Sequence, residues 1–290
     1  MEYQNILPNW LDNRLYPFDN KYIQLPDGRM HYVDEGSGQV ILFVHGTPAW
    51  SFLYRDFIKA LSREYRCIAV DHLGFGLSER SEKFEGTPQA HADNLALLIR
   101  ELDLREITFV VHDFGGPIGL GAALNFPDRT KKVVLFNSWL WETKNNKEVQ
   151  KIDKVVKGAL GRFLYLYLNI SPKVLLKKGF DDPRKLKRNI HDHYVRPFPN
   201  KKSRRALLEL ARSLAGSSDW YEEQWQHLDK LGDKEWLILW GARDKFITPE
   251  FLEKWLGRLP QAKCVQYECG HFVQEEMTEK CIAEIAGFIG

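Results

Sequence analysis

Three residues of this chain have the types and the order for a reaction through a covalent carboxylate ester. Asp113 lies in VVHDFGGPIG (Val110–Gly119). An apolar run before it (Ile107–Val111) reads as a buried parallel strand, and the small-residue segment after it (Gly115–Leu124) as a tightly packed helix. A charged residue where a strand turns sharply into a helix has the layout of a nucleophile elbow. Gly115 and Gly116 let the new helix pass close to the strand, where a Cβ would crowd it. Asp is also a preferred helix N-cap, the plainer role for such a residue. Two further residues argue against that role. Asp244, in WGARDK, follows one apolar strand, and His271, in ECGHF, follows the last strand. Singly they read as a loop turn and a satisfied loop histidine. Together they give nucleophile, acid and histidine in sequence, each just past a strand on one sheet edge.

The residue types define the chemistry. A carboxylate is already ionised at neutral pH, so Asp113 can attack without prior loss of a proton. It suits displacement at a saturated carbon bearing a leaving group, which gives an ester on Asp113. His271, oriented by Asp244, would then take a proton from water attacking that ester. The oxyanion needs donors, and the backbone N–H groups of Thr47 and Phe114 are the expected pair. This scheme needs no metal and no cofactor. No Cys/His cluster has metal-ligand spacing.

The elements that must position these residues are readable in order. Tyr22–Leu25 and Met30–Asp34 are strand-like and joined by a Pro26-Asp27-Gly28 turn, after a leading arm. Val40–Val44 is a continuous apolar run ending in the loop His45-Gly46-Thr47-Pro48. Ser51–Glu64 and Thr87–Leu102 carry helical spacing, with a strand at Cys67–Val70 between them. After the elbow comes a strand at Lys132–Phe136. This is a β-α-β-α-β-α-β order, an α/β doubly wound, mostly parallel sheet. From Ser138 to about Gly216 no strand appears, and basic helical segments are interleaved with aromatics. We expect an inserted helical cap at 138–216, with 1–137 and 217–290 forming the core. Strands return at Glu235–Trp240 and Lys263–Glu268, with helices at Pro249–Leu259 and Thr278–Phe288.

Composition bounds the alternatives. With 290 residues, 44% hydrophobic content and nine Trp, the chain has material for a large core. Lys+Arg number 41 against 39 Asp+Glu, so net charge gives no case for nucleic acid or a membrane surface. Solvated helix faces are the simpler reading of the basic insert. The start, MEYQNILPNW, lacks the basic and apolar regions of a signal peptide, and the apolar runs are too short to span a bilayer. Cys67, Cys264, Cys269 and Cys281 form no C-x-x-C, so free thiols in a cytoplasmic protein are expected. Oligomeric state is left open.

From about Leu15 onward the chain resembles the haloalkane dehalogenases. The matching stretches are LYPF, HYVDEG, HGTPAWSFLYRDFI, GFGLSER, HDFGGP, HYVRPFP and GHFVQEE. HGxP and the Asp elbow are shared with epoxide hydrolases, whereas the Tyr194–Phe198 segment is similar to dehalogenases. The resemblance implies an α/β-hydrolase fold with a helical cap, the triad Asp113–His271–Asp244, and a small apolar substrate hydrolysed to alcohol and halide. Asn137, rather than a carboxylate, follows Phe136, as in the subfamily that keeps its acid after a later strand. Two positions depart from the pattern. Phe114 stands where the family carries a halide-binding Trp, and a phenyl ring has no N–H to donate. Thr47 stands at a loop position where many of these enzymes use Asn. Candidate substrate or halide contacts are therefore Thr47, Phe114, Trp139, Trp141 and Tyr194. Other reactions on the same machinery are epoxide opening, with Tyr165, Tyr167 or Tyr194 as acid, and a luciferase or ligand-binding protein on this scaffold.

Overall fold

The computed structural model describes residues 7–290; the first six residues of the leading arm, within MEYQNILPNW, lie outside it. Eight strands form one sheet: β1 (Lys21–Leu25), β2 (Gly28–Glu35), β3 (Val40–Val44), β4 (Arg66–Val70), β5 (Ile107–Val111), β6 (Thr130–Phe136), β7 (Glu235–Gly241) and β8 (Lys263–Tyr267). Their spatial order is β1-β2-β4-β3-β5-β6-β7-β8. The β1–β2 and β2–β4 pairs are antiparallel and all others parallel. After β3 the chain moves to one side to form β4, then returns to the other side to form β5. That reversal opens a crevice at the carboxyl ends of the strands, where such sheets bind ligands.

The central strands are apolar throughout because both faces are covered. Side chains alternate between two cores by the two-residue strand period. Val40, Leu42 and Val44 of β3 join Phe109 and Val111 of β5 in one core. Ile41 and Phe43 join Val110, Val134 and Leu237 in the other.

Helices α1 (Arg55–Leu61), α2 (Pro88–Glu101) and α3 (Gly115–Ala123) flank the sheet. Thr87 caps α2 by accepting from the Ala90 amide, 3.2 Å away, with Pro88 in the first turn. The single helix expected over Ser51–Glu64 is shorter. A 3-10 turn at Ser51–Tyr54 precedes α1, which ends before Ser62. The Ser51 amide, at the start of that turn and without an acceptor inside it, donates to the buried Asp71 carboxylate at 2.8 Å.

Between β6 and β7 the described chain has helices and turns but no strand. It begins with α4 (Lys147–Lys157) and includes helices at Arg188–Val195, Arg205–Gly216 and Ser218–Gln226. Phe163–Tyr167 and Ser171–Leu175 are π-helical turns separated by Asn169 at φ 55°. Helical periodicity alone does not signal such widened turns. Among the described residues no helix is long and apolar enough to cross a membrane, and all four cysteines are unpaired.

One close approach of helix to sheet is at Gly115. A Cβ there would lie 2.2 Å from the Val44 carbonyl oxygen and 2.9 Å from that of His45, both backbone atoms of a buried strand end. Gly115→Ala is expected to cost about 1–3 kcal/mol through overpacking. Gly287→Ala, on a helix where a Cβ meets nothing within 4 Å, should be neutral or slightly stabilising. Urea midpoints of the two variants check this, and equal midpoints would refute the close-packing argument.

Candidate active site

The β5–α3 turn fixes Asp113 in a conformation its side chain would not choose freely. Its φ is 54°, a left-handed value that Asp tolerates better than most residues. The Asp113 amide donates to the Asn137 carbonyl at 2.9 Å, and its carbonyl accepts from Ser138 Oγ at 2.6 Å and the Gly116 amide at 2.9 Å. The first amides of α3 therefore go to backbone carbonyls, Gly115 to His112 and Gly116 to Asp113. The helix has no side-chain cap. The carboxylate does not cap the helix and points instead toward the loop after β3. There the Thr47 amide donates to Asp113 Oδ1 at 2.8 Å. Gly46 makes room, since a Cβ at that position would sit 2.2 Å from the same oxygen.

His271 arrives from the loop after β8. Its Nε2 lies 3.5 Å from Asp113 Oδ2, and its Nδ1 lies 2.7 Å from Asp244 Oδ2. Asp244, in the loop after β7, also accepts from Asn137 Nδ2 at 2.9 Å on Oδ2 and from the Phe246 amide at 2.7 Å on Oδ1. Asn137 is in turn locked to Gly241, accepting from its amide at 2.8 Å and donating to its carbonyl at 3.1 Å. The His271 loop is pinned from outside: its amide donates to the Gly179 carbonyl at 2.7 Å, and the Gly270 amide to Glu276 at 2.8 Å. The sequence reading missed the positioning roles of Asn137 and Glu276. Asn137 had a usable signal, because it follows β6 directly on the same sheet edge.

All three groups are buried. Burial alone would push the Asp113 carboxyl up, but the hydrogen bond and charge of His271 outweigh it, helped by His112 and the Phe114 amide, and hold it below the usual carboxylate value. For His271, burial opposes the charged form, yet Asp244 and Asp113 together raise it to about 10. His112 packs on His271 at 4.5 Å between centroids and is brought down to about 3 by burial and by that neighbouring charge. The resting site is thus an imidazolium between two carboxylates, beside a neutral imidazole.

A cavity of about 440 Å³ opens onto this group. Thr47, Asp113, Phe114, Trp139, Tyr165 and His271 contribute to its wall. Two buried polar atoms of that wall have no hydrogen-bond partner, Thr47 Oγ1 and Trp139 Nε1. Trp139 meets the Phe114 ring edge-on, with centroids 4.9 Å apart. Two candidates do not reach the cavity. Trp141 is packed among Trp225, Phe251 and Trp255 with centroids 5.1–5.4 Å away, and Lys254 covers its face. Tyr194 is fully buried, donates its hydroxyl to Glu275 and packs against Phe52. Both are core residues because apolar neighbours or a buried carboxylate already occupy them. Tyr167 is exposed, with Lys201 over its ring, and only Tyr165 of the three tyrosine candidates lines the cavity.

Residues 39–278 match the family model described as alpha/beta hydrolase fold. Haloalkane dehalogenase 2 of Mycobacterium tuberculosis is 32% identical over 284 residues, covering 94% of this chain and 96% of that protein. A cis-3-alkyl-4-alkyloxetan-2-one decarboxylase of Shewanella oneidensis is 30% identical over 285 residues, covering 95% and 89%. The structure of haloalkane dehalogenase DatA from Agrobacterium tumefaciens superposes with a TM-score of 0.84 at 26% identity, covering 93% of this chain and 95% of that one. The chain therefore belongs to the α/β-hydrolase family and, within it, to the haloalkane dehalogenase family. It is an enzyme of that fold, and its relatives carry more than one activity.

The ion pair sets a pH window. His271 titrates above its ordinary value near 6.5, so its stabilisation is fully present below that value and is lost as pH rises through about 10. In Asp113→Asn, which keeps a residue tolerant of the left-handed turn, the imidazole should titrate well below its wild-type position. Ring-nitrogen NMR reads this directly. An unchanged titration would mean that Asp113 does not hold the proton on His271.

Proposed function

We propose that the protein hydrolyses small haloalkanes to alcohol and halide through a covalent ester on Asp113. One observation carries this reading: an ionised, buried Asp113 faces a cavity of about 440 Å³ with His271 Nε2 3.5 Å away and Asp244 bonded behind the imidazole. Asp113 displaces halide from a saturated carbon. Esterification removes one of the two negative charges that raised His271, leaving Asp244 alone to support the imidazolium. The histidine then releases its proton and becomes a base when one is needed. Neutral Nε2 takes a proton from water, and the resulting hydroxide adds to Cγ of Asp113. The oxyanion formed there is met by the amides of Thr47 and Phe114, the former already 2.8 Å from Oδ1. Collapse expels the alkoxide, which takes the proton from His271, and the Asp113 acid so formed passes its own proton to the neutral His271, restoring the resting ion pair. The net change is R–X plus water giving R–OH, halide and one proton.

The helical block 138–216 serves as the cap, supplying Trp139, Tyr165 and Leu176 to the cavity wall. The leaving group is held without the usual Trp after the nucleophile. Trp139 Nε1 and Thr47 Oγ1 supply that function, since both are buried polar atoms of the wall with no protein partner. Leaving such donors unpaired is costly, and a departing halide would satisfy them. Tyr165 favours one further reading, the opening of a strained oxygen ring by the same Asp113, because its half-buried hydroxyl is kept protonated up to about 12 by burial and by Asp113. A vicinal diol in place of free halide would mark that reaction.

Halide release from 1,2-dibromoethane and 1-iodobutane is the test. Wild type should release halide and Asp113→Ala should release none, while a folded wild type inert toward both would overturn the dehalogenase reading. Trp139→Phe keeps the ring but loses the N–H, and should lower kcat about 10- to 100-fold. An unchanged kcat would remove Trp139 from the halide site.

A further inference from the structure

Beside the reaction cavity lies a second, shallower groove of about 600 Å³, with Phe246 and Lys245 shared between the two walls. Its floor is apolar, formed by Val174, Phe180, Pro183 and Phe246. Its remaining lining is four lysines, Lys173, Lys177, Lys178 and Lys245, with no acidic residue among them. None of the four ammonium groups has a hydrogen bond or ion pair among the described residues. The nearest acids in sequence are otherwise engaged: Asp181 pairs with Arg243 at 2.9 Å and Asp182 with Arg184 at 2.8 Å. The groove sits within a wider imbalance. Residues 138–216 hold 19 Lys+Arg against 7 Asp+Glu, in a chain with 41 against 39 overall. The segment's field therefore favours anions at this mouth, and a cleft with low-dielectric walls concentrates it.

The geometry points to an anionic amphiphile as the enzyme's preferred substrate class: an unbranched alkyl chain with a carboxylate at one end and the leaving group at the other. The carboxylate would rest among Lys173, Lys177, Lys178 and Lys245. The chain would cross the apolar floor past Phe246 and present its far carbon to Asp113. The opposite orientation is disfavoured, because Asp113 and Asp244 give the inner end of the cavity a net negative charge even with His271 protonated. An apolar groove ending in lysines also suits chains longer than the cavity alone would hold. This assignment of substrate class rests on the ester chemistry proposed above, but the binding it requires does not.

Calorimetric titration of the whole protein with octanoate and with octanamide separates the two. These probes share a chain and differ in charge. Octanoate should bind about tenfold more tightly at low salt, the size expected from several exposed charge pairs acting together. The advantage should shrink at high ionic strength. It should also vanish in Lys173→Gln/Lys177→Gln/Lys178→Gln, a surface variant outside the reaction cavity whose fold is checked by its thermal midpoint. Equal affinities, or a preference that survives the triple variant, would overturn the proposal. A second arm compares halide release from 8-bromooctanoate and 1-bromohexane. The triple variant should raise KM for the anion several-fold with kcat unchanged, and leave the neutral substrate untouched. Octanoate preference without halide release from either compound would sink the dehalogenase reading alone. Halide release with no preference for the anion would sink the substrate class alone.

Discussion

The site depends on keeping a buried carboxylate charged. Water would do this for an exposed Asp; here His271 and the backbone do it instead. The imidazolium alone would be as poorly placed as the carboxylate alone, since burial opposes both charged forms. Their mutual support, with Asp244 behind, makes the ionised state the resting one. In the proposed reaction the same coupling would set the order of events. Esterifying Asp113 would weaken the support for the proton on His271, so one residue would be a counter-ion in the first step and a base in the second.

The fold supplies what that coupling needs, which is close approach without water. Asp113, Asp244 and His271 come from loops after three parallel strands, and the loop after β3 brings the Thr47 amide to the same carboxylate. Glycines at 46 and 115 mark where backbone must come nearer than any side chain permits. Asn137 ties Asp244 to the end of β7, so the acid is held by the sheet rather than by a mobile loop.

Much of this was legible in the sequence, for physical reasons. Doubly covered parallel strands leave continuous apolar runs, and all eight strands lie where such runs or short alternating segments placed them, within a few residues at their ends. Asp113, Asp244 and His271, singled out because each lies just past a strand end, are brought together at one sheet edge. Side-chain destinations in the helical segment were not legible. Trp139 and Trp141 are two residues apart with the same indole, yet one lines the cavity and the other is enclosed by Trp225, Phe251 and Trp255. Tyr194 lies in a family-like stretch, but its hydroxyl is taken by Glu275. Such choices depend on tertiary partners far away in the sequence or on widened helical turns, which no local pattern encodes.

The measurement closest to the central claim is a single turnover in heavy-oxygen water, with enzyme in excess over 1-iodobutane. If the ester on Asp113 forms and water attacks its carbonyl carbon, the alcohol must carry ordinary oxygen taken from Asp113. The peptide containing Asp113 must in turn gain the heavy isotope by mass spectrometry. Heavy oxygen in the first-turnover alcohol, with an unlabelled Asp113 peptide, would show water attacking the substrate directly and would contradict the account.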